Sequence, residues 1–167
     1  GRDLGYFGND TEEMPSYDAF YTKKPDLYEH LIWQLRLSDA DESIRRVAGA
    51  VIANLDDDGY LRVPTEEIAQ ILGVDPSMVE KAIGLVQTFD PPGVAARDLK
   101  ECLLIQLEHL GLKDSLAERI VSNHLTDIQN KRHQLIAKKY GVTLEDLMAA
   151  MAVIERLEPR PGRQFSG

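Results

Sequence analysis

The residues best suited to chemistry form a short acidic loop. Asn54, Asp56 and Asp58 occupy alternate positions with Gly59 next, which is the spacing of the first half of a calcium-binding loop. Such a loop closes on a glutamate that binds calcium through both carboxylate oxygens, but Thr65 stands at that position. A turn that ends a helix, with Gly59 near the left-handed region, explains the same residues more simply. We favour the turn and keep calcium binding as the alternative.

A basic cluster is the second group that could do chemistry. Lys131, Arg132 and His133 precede Lys138 and Lys139 on a weakly amphipathic predicted helix. These cations could contact an acidic partner surface or the phosphates of a nucleic acid. A solvated helix face is the commoner explanation of such a run, and both interpretations stay open at this point.

The sequence lacks the patterns that are typical of catalysis. It contains no HExxH motif, no Cys/His zinc pattern, no Walker loop, no GxGxxG and no GxSxG. Cys102 lies beside Leu99 and Leu103 on an apolar helix face, where a small buried side chain is expected rather than a nucleophile. We therefore expect a non-catalytic protein without metal, cofactor or small-molecule substrate. The four scattered histidines are His30, His109, His124 and His133.

The composition favours protein partners over nucleic acid. The 167 residues carry a formal net charge of −9, and the acidic residues are spread along the whole chain, which leaves no basic stripe for a phosphate backbone. No apolar run approaches the roughly 20 residues of a membrane-spanning helix, so we expect no membrane association. A single cysteine excludes an internal disulfide and suits a reducing cytoplasm, where we expect the protein to act.

A proline elbow must position the predicted helices. A double proline cannot continue a helix, so the preceding helix should stop near Phe89. Asp98 followed by Glu101 resembles a capping box and predicts the start of the next helix. We expect this rigid segment to fix the angle between two packed units. The elbow residues are Asp90, Pro91, Pro92, Gly93 and Asp98.

An internal repeat surrounds the elbow. The segment Ile68–Val74 recurs 68 residues later as Ile136–Val142, and the alignment continues without a gap to the proline stops. Asp75 and Thr143, both typical helix N-cap residues, occupy equivalent positions. Each copy predicts a helix, a tight turn at glycine and a longer helix, which is the spacing of a helix-turn-helix unit.

The repeat raises an alternative function, a helix-turn-helix DNA-binding regulator domain. A DNA-reading helix needs Arg, Lys, Asn or Gln near its N-terminal end. The second helix of the first copy instead opens Pro76-Ser77-Met78-Val79-Glu80, and that of the second copy opens Leu144-Glu145-Asp146-Leu147-Met148. Acidic groups there would repel phosphates, so we disfavour direct DNA reading.

The predicted fold is all-α, with two small helical subdomains that each contain a helix-turn-helix-like half and pack through the Pro-Pro-Gly elbow. We assign residues 25–97 to the first subdomain and residues 98–160 to the second. Residues 1–24 lack any hydrophobic period and predict a flexible, weakly acidic lead-in, although their aromatic side chains could dock on the body or a partner. Residues 161–167 predict an extended linker toward a further region.

Several of these segments, in the same order, resemble the core-binding region of the bacterial sigma-54 family of RNA polymerase sigma factors. The similarity spans roughly residues 27 to 162, and Ala95 stands where the family often has glycine. The matching segments are His30-Leu31 with Gln34-Leu35, Asn54 to Leu61, Phe89 to Leu99, Glu101-Cys102-Leu103 with Gln106-Leu107, and Leu157 to Gly162.

The resemblance implies a fragment that docks on core RNA polymerase and helps to form the holoenzyme for activator-dependent transcription initiation. It also implies that promoter DNA and the activator ATPase are contacted by regions of a longer protein that lie outside this sequence. From chemistry and position alone, we expect seven residues to dock on the polymerase or to position the subdomains. They are Trp33, Phe89, Arg97, Lys131, Arg132, Arg160 and Arg163.

Overall fold

The computed structural model describes residues 24–166. In that part of the chain all regular secondary structure is helical, which confirms the predicted all-α class. The aromatic residues of the predicted lead-in lie outside the described residues. The helices are α1 (Leu27–Leu37), α2 (Glu42–Ala53), α3 (Thr65–Leu72), α4 (Pro76–Val86), α5 (Leu99–His109), α6 (Leu116–Gln129), α7 (His133–Tyr140) and α8 (Leu144–Glu155), followed by a 3-10 turn at Arg163–Phe165.

Polar N-cap residues define where most helices begin. Asp26 and Glu29 form a complete capping box at α1, so this helix starts after Asp26. Asp98 accepts a hydrogen bond from the Glu101 N–H at 2.8 Å, as predicted for α5. The remaining side-chain caps are Asp41, Asp75, Ser115 and Thr143.

Two apolar cores lie on opposite sides of the elbow. The first joins α1 to α4 and extends to Val94 and Ala95, and the second joins α5 to α8 and includes Leu157. A small third cluster of Tyr60, Ala96 and Cys102 connects them. The two cores agree with two helical subdomains, and the boundary at residues 97 and 98 stays a prediction.

The two copies of the repeat have the same local geometry. Gly73 ends α3 with φ of 68°, and Gly141 ends α7 with φ of 63°, so both glycines supply the left-handed turn that other residues adopt reluctantly. The amide that follows each glycine donates to the alanine carbonyl five residues before it, at 3.0 Å in both copies. The helix-turn-helix shape inferred from the repeat is thus present twice.

The C-terminal half contains one irregular helix and departs from the sequence expectation at its end. Helix α6 has a break from helical geometry at His124. Residues 161–166 do not extend away as a linker. Pro161 and Gly162 are buried against the first subdomain, and a 3-10 turn follows them.

Candidate functional site: the elbow and the surfaces around it

Helix α1 holds the beginning of the elbow through polar side chains. The Gln34 amide donates to the Asp90 carbonyl at 2.7 Å, and the Asp90 N–H donates to Gln34 Oε1 at 2.8 Å. His30 Nε2 lies 2.9 Å from Asp90 Oδ2. These contacts satisfy both backbone groups of Asp90, which has no helix partner because Pro91 follows it.

Phe89 is an elbow residue whose side chain points into the protein. It is only 9% exposed and belongs to the first apolar core. Its counterpart in the second copy of the repeat, Leu157, is equally buried in the second core. Little of the Phe89 side chain is therefore available to a partner, and its role in subdomain positioning stays a prediction.

Arg97 connects α4 to α5 at the far end of the elbow. Its guanidinium donates to Glu101 Oε2 at 2.9 Å and to both carboxylate oxygens of Glu80 at 3.1 Å. Glu101 Oε1 also accepts the backbone N–H of Arg97 at 2.7 Å, so the second half of the capping box forms one residue earlier than expected. Because Glu80 lies on α4 and Glu101 on α5, this network links helices that contribute to the two different apolar cores.

The same network lowers the pKa of both carboxyl groups. The hydroxyl of Thr65 donates to Glu80, and this contact together with Arg97 outweighs burial and holds the pKa of Glu80 below its usual value. Burial alone would raise the pKa of Glu101, but the hydrogen bonds from Arg97 reverse that effect and the pKa is lowered. Both carboxylates are therefore ionised at neutral pH.

Gly93 brings the elbow backbone into direct contact with α5. Its φ of +96° lies in the region that favours glycine, and a Cβ atom there would lie 2.8 Å from Cys102 Sγ and 2.9 Å from Gln106 Nε2. Burial raises the pKa of the Cys102 thiol, which is fully enclosed at this contact. Only glycine fits, so the sequence signal for a turn at this position also marks a close helix approach.

The C-terminal segment, residues 158–166, packs next to the elbow and the acidic loop. The Tyr60 hydroxyl donates to the Pro159 carbonyl at 2.7 Å, and the Gly162 N–H donates to the Asp58 carbonyl at 2.8 Å. Arg163 pairs with the Asp58 carboxylate, and the ring of Phe165 stacks on His30. The segment thereby ties the end of the second subdomain to the acidic loop and α1 of the first.

The acidic loop uses its carboxylates for these internal contacts. Asp56 Oδ1 accepts the backbone N–H groups of Asp58 at 3.0 Å and Tyr60 at 2.9 Å, while Arg62 lies 3.5 Å from Asp56 Oδ2. Thr65, at the position of the missing glutamate, is the first residue of α3. No group of three potential metal ligands occurs among residues 24–166. Gly59 has a φ of +93°, so it supplies the left-handed conformation of the turn that we favoured for this loop.

The other predicted contact residues are distributed over the surface. Trp33 is 59% exposed on the face of α1 that points away from the core. Arg160 is exposed where the C-terminal segment begins. Lys131 and Arg132 lie in the turn before α7, with Arg132 at 3.3 Å from the carboxylate of Asp127, and both line a groove at the end of the second subdomain. The structure brings Phe89, Arg97 and the elbow together but leaves these residues apart.

Comparison of the sequence with known protein families identifies the family of this chain. The sequence matches the family described as Sigma-54 factor, core binding domain, over residues 16–167. The chain belongs to this family. The residues on which the resemblance rested include Gln34, Gln106 and Gly162, which are also those that hold the elbow and the C-terminal segment in place.

Individual relatives agree with the family assignment. The chain is 34% identical over 167 residues to the RNA polymerase sigma-54 factor of Acidithiobacillus ferridurans, covering 96% of this chain and 35% of that protein. It is 34% identical over 160 residues to the RNA polymerase sigma-54 factor of Escherichia coli (strain K12), and this alignment covers 92% of this chain and 33% of that protein. The Sinorhizobium fredii protein of the same name is 36% identical, and this alignment covers 96% of this chain and 31% of that protein. The chain thus spans about a third of the length of these curated relatives.

Sequence reasoning missed the contacts made by the C-terminal segment of this sigma-54 core binding domain. The available signal was the pair Gly59 and Gly162, since glycine often stands where two backbones approach closely. Gly162 is such a case, because a Cβ atom there would lie 2.5 Å from the Asp57 carbonyl oxygen. Within residues 24–166, no helix has the length and apolarity to cross a membrane.

Proposed function

We propose that this chain binds core RNA polymerase as part of a sigma-54 factor and contributes to the holoenzyme for activator-dependent transcription initiation. The observation that carries the proposal is the family match over residues 16–167. The relatives carry the name RNA polymerase sigma-54 factor, and this chain corresponds to about a third of their length. The activator ATPase and promoter DNA would be contacted by other parts of such a protein.

The internal contacts support a docking role. Two helical subdomains are connected by the elbow, by the Arg97 network and by the C-terminal segment, so residues on both subdomains can meet one large partner in a fixed relation. We propose that Trp33, Lys131, Arg132 and Arg160 contact the polymerase. Phe89, Arg97 and Arg163 would instead position the subdomains, together with the elbow residues.

The alternative of a DNA-reading helix-turn-helix domain has less support. The first turn of α8 carries Glu145 and Asp146, and Glu80 near the start of α4 is bound to Arg97. A duplex would meet negative charge where base-reading side chains are needed. We therefore propose a non-catalytic, cytoplasmic role through protein contacts, without cofactor, metal, membrane or small-molecule substrate.

The decisive experiment is a binding measurement between the 167-residue chain and purified core polymerase at physiological salt. We expect a stable complex and an affinity that changes only moderately with salt. A parallel titration with duplex DNA at low salt tests the alternative. Tight, salt-sensitive binding to duplex without binding to polymerase would contradict the proposal.

A further inference from the structure

An open groove lies at the N-terminal ends of the two helices of the second helix-turn-helix unit. Its volume is about 710 Å³, and both α7 and α8 contribute side chains to it. The lining residues are Lys131, Arg132, His133, Gln134, Leu135, Leu144 and Met148.

The groove combines positive charge with exposed apolar side chains. Leu135 is 56% exposed, and Leu144 and Met148 are each 49% exposed, although all three are large apolar residues. Lys131 and Arg132 also line the groove, Arg132 being paired with Asp127 outside it at 3.3 Å, and no acidic residue is among the lining residues. In a chain with a net charge of −9, such a surface calls for an acidic partner with apolar groups.

In the first copy of the repeat, the surface that corresponds to the groove is covered by another part of the chain. The offset of 68 residues places Met148 at the position of Glu80 and Leu144 at the position of Pro76. Glu80 is bound by Arg97, which arrives from the elbow, and by the hydroxyl of Thr65. An acidic face thus receives a basic group in the first copy, whereas the basic and apolar face of the second copy is exposed.

We propose that this groove binds an acidic segment of core RNA polymerase that carries bulky apolar side chains, an inference that rests on the proposed function. Carboxylates of the segment would pair with Lys131 and Arg132, and its apolar groups would cover Leu135, Leu144 and Met148. The α7 N-cap position is occupied by Arg132, which supplies no side-chain acceptor, so a partner carboxylate could accept from the first N–H groups of this helix.

A phosphate backbone fits this surface less well. It would pair with the two cations but would leave the apolar side chains in water. Glu145 and Asp146, beside Leu144 in the first turn of α8, would also repel a continuous row of phosphates. A protein segment can instead place its carboxylates and its apolar side chains at different points.

The test measures the affinity of the 167-residue chain for core polymerase by biolayer interferometry. One variant reverses the groove charge, Lys131→Glu with Arg132→Glu, and a second removes its apolar groups, Leu135→Gln with Met148→Gln. The matched control, Lys138→Glu with Lys139→Glu, makes the same charge change at exposed positions of α7 that do not line the groove. Circular dichroism and thermal unfolding establish that each variant is folded.

We expect both groove variants to weaken binding about tenfold or more and the control to stay within about twofold. If the wild-type chain binds and both groove variants bind equally well, the groove inference is wrong while the proposed function stands. If the wild-type chain does not bind polymerase, the proposed function itself fails. An effect of the charge variant without an effect of the apolar variant also contradicts the inference.

Two further measurements identify other occupants. If the duplex titration shows salt-sensitive binding that Lys131→Glu with Arg132→Glu abolishes, the groove takes phosphate and the inference is overturned. Sedimentation of the free chain tests a second copy as the occupant. A dimer that Leu135→Gln with Met148→Gln converts to monomer would likewise overturn it.

Discussion

The side-chain amide of Gln106 forms two hydrogen bonds with the backbone of Glu158, one as donor and one as acceptor. Gln106 Nε2 donates to the Glu158 carbonyl at 2.7 Å, and the Glu158 N–H donates to Gln106 Oε1 at 2.8 Å. Gln106 is only 8% exposed. This pair fastens the start of the C-terminal segment to α5, one turn beyond the place where Gly93 meets Cys102.

Replacing Gln106 by alanine should destabilise the protein by about 2 kcal/mol, because it leaves the Glu158 N–H without a partner and leaves the Glu158 carbonyl only the weak thiol donor of Cys102 at 3.6 Å. The free energy of unfolding in urea measures the effect. Gln134→Ala, at an exposed position, serves as the control and should change stability by no more than about 0.5 kcal/mol. Equal effects of the two substitutions would contradict the role assigned to Gln106.

Gly93→Ala should destabilise the protein by about 2–5 kcal/mol. The new methyl group would contact Cys102 Sγ and Gln106 Nε2 at less than 3 Å, and alanine would also adopt a φ of +96° at a cost. Gly84→Ala is the control, since Gly84 lies within α4 with nothing inside 4 Å of the new methyl group. That substitution should stabilise the protein by about 0.5–1 kcal/mol. Thermal unfolding distinguishes these opposite signs.

The sequence predicted local geometry well because local geometry depends on local chemistry. Asp98 begins a helix because its carboxylate accepts a nearby amide, and Gly73 and Gly141 end helices because they tolerate positive φ. The repeat of 68 residues identified both helix-turn-helix units, since equal spacing of apolar and turn residues produces equal packing. These features need only residues within a few positions of each other.

The contacts that organise the site were less accessible to sequence reasoning. The pairing of Gln106 with Glu158 and of Tyr60 with Pro159 joins residues that are 52 and 99 positions apart. Nothing in a single sequence specifies which distant carbonyl a buried amide or hydroxyl will find. Once Gln106 is buried, however, the hydrogen bonding of its amide follows from the cost of burying an unpaired polar group.

Two neighbouring alanines offer a test of backbone strain. Ala95 and Ala96 are both fully buried, but only Ala95 has a positive φ, of 66°. Ala95→Gly loses a buried methyl group and relieves the left-handed conformation, whereas Ala96→Gly only loses the methyl group. We expect Ala95→Gly to be the more stable variant by about 1 kcal/mol in urea unfolding. The reverse order would show that Ala95 is not strained.

Arg97→Gln should reduce stability by about 1 kcal/mol at pH 7, since Arg97 is 40% exposed and solvent screens its ion pairs. The pKa values of Glu80 and Glu101 are lower in the folded protein than in the unfolded chain. Their ionisation therefore stabilises the fold above about pH 4.3, and this contribution is lost as the pH falls through the folded-state values. The difference between wild type and variant should consequently shrink at acid pH.

Urea unfolding of wild type and Arg97→Gln between pH 7 and pH 3 checks this dependence. Arg36→Gln, at an exposed position in the last turn of α1, is the control for removing one positive charge. A difference between Arg97→Gln and wild type that stays constant over the whole pH range would contradict a contribution of Arg97 to the lowered pKa values of Glu80 and Glu101.

The reactivity of Cys102 reports how firmly the C-terminal segment is held. The thiol is fully buried, and burial raises its pKa, so a thiol reagent should modify the native protein only when the structure opens. Gly162→Ala would place a methyl group 2.5 Å from the Asp57 carbonyl oxygen and 2.7 Å from the Gly59 nitrogen, which weakens the docking of the segment. If that docking loses 1–2 kcal/mol, labelling should accelerate about 5- to 30-fold. Gly49→Ala, in open space within α2, should leave the rate unchanged or slower, and equal rates for all three proteins would show that the segment does not protect Cys102.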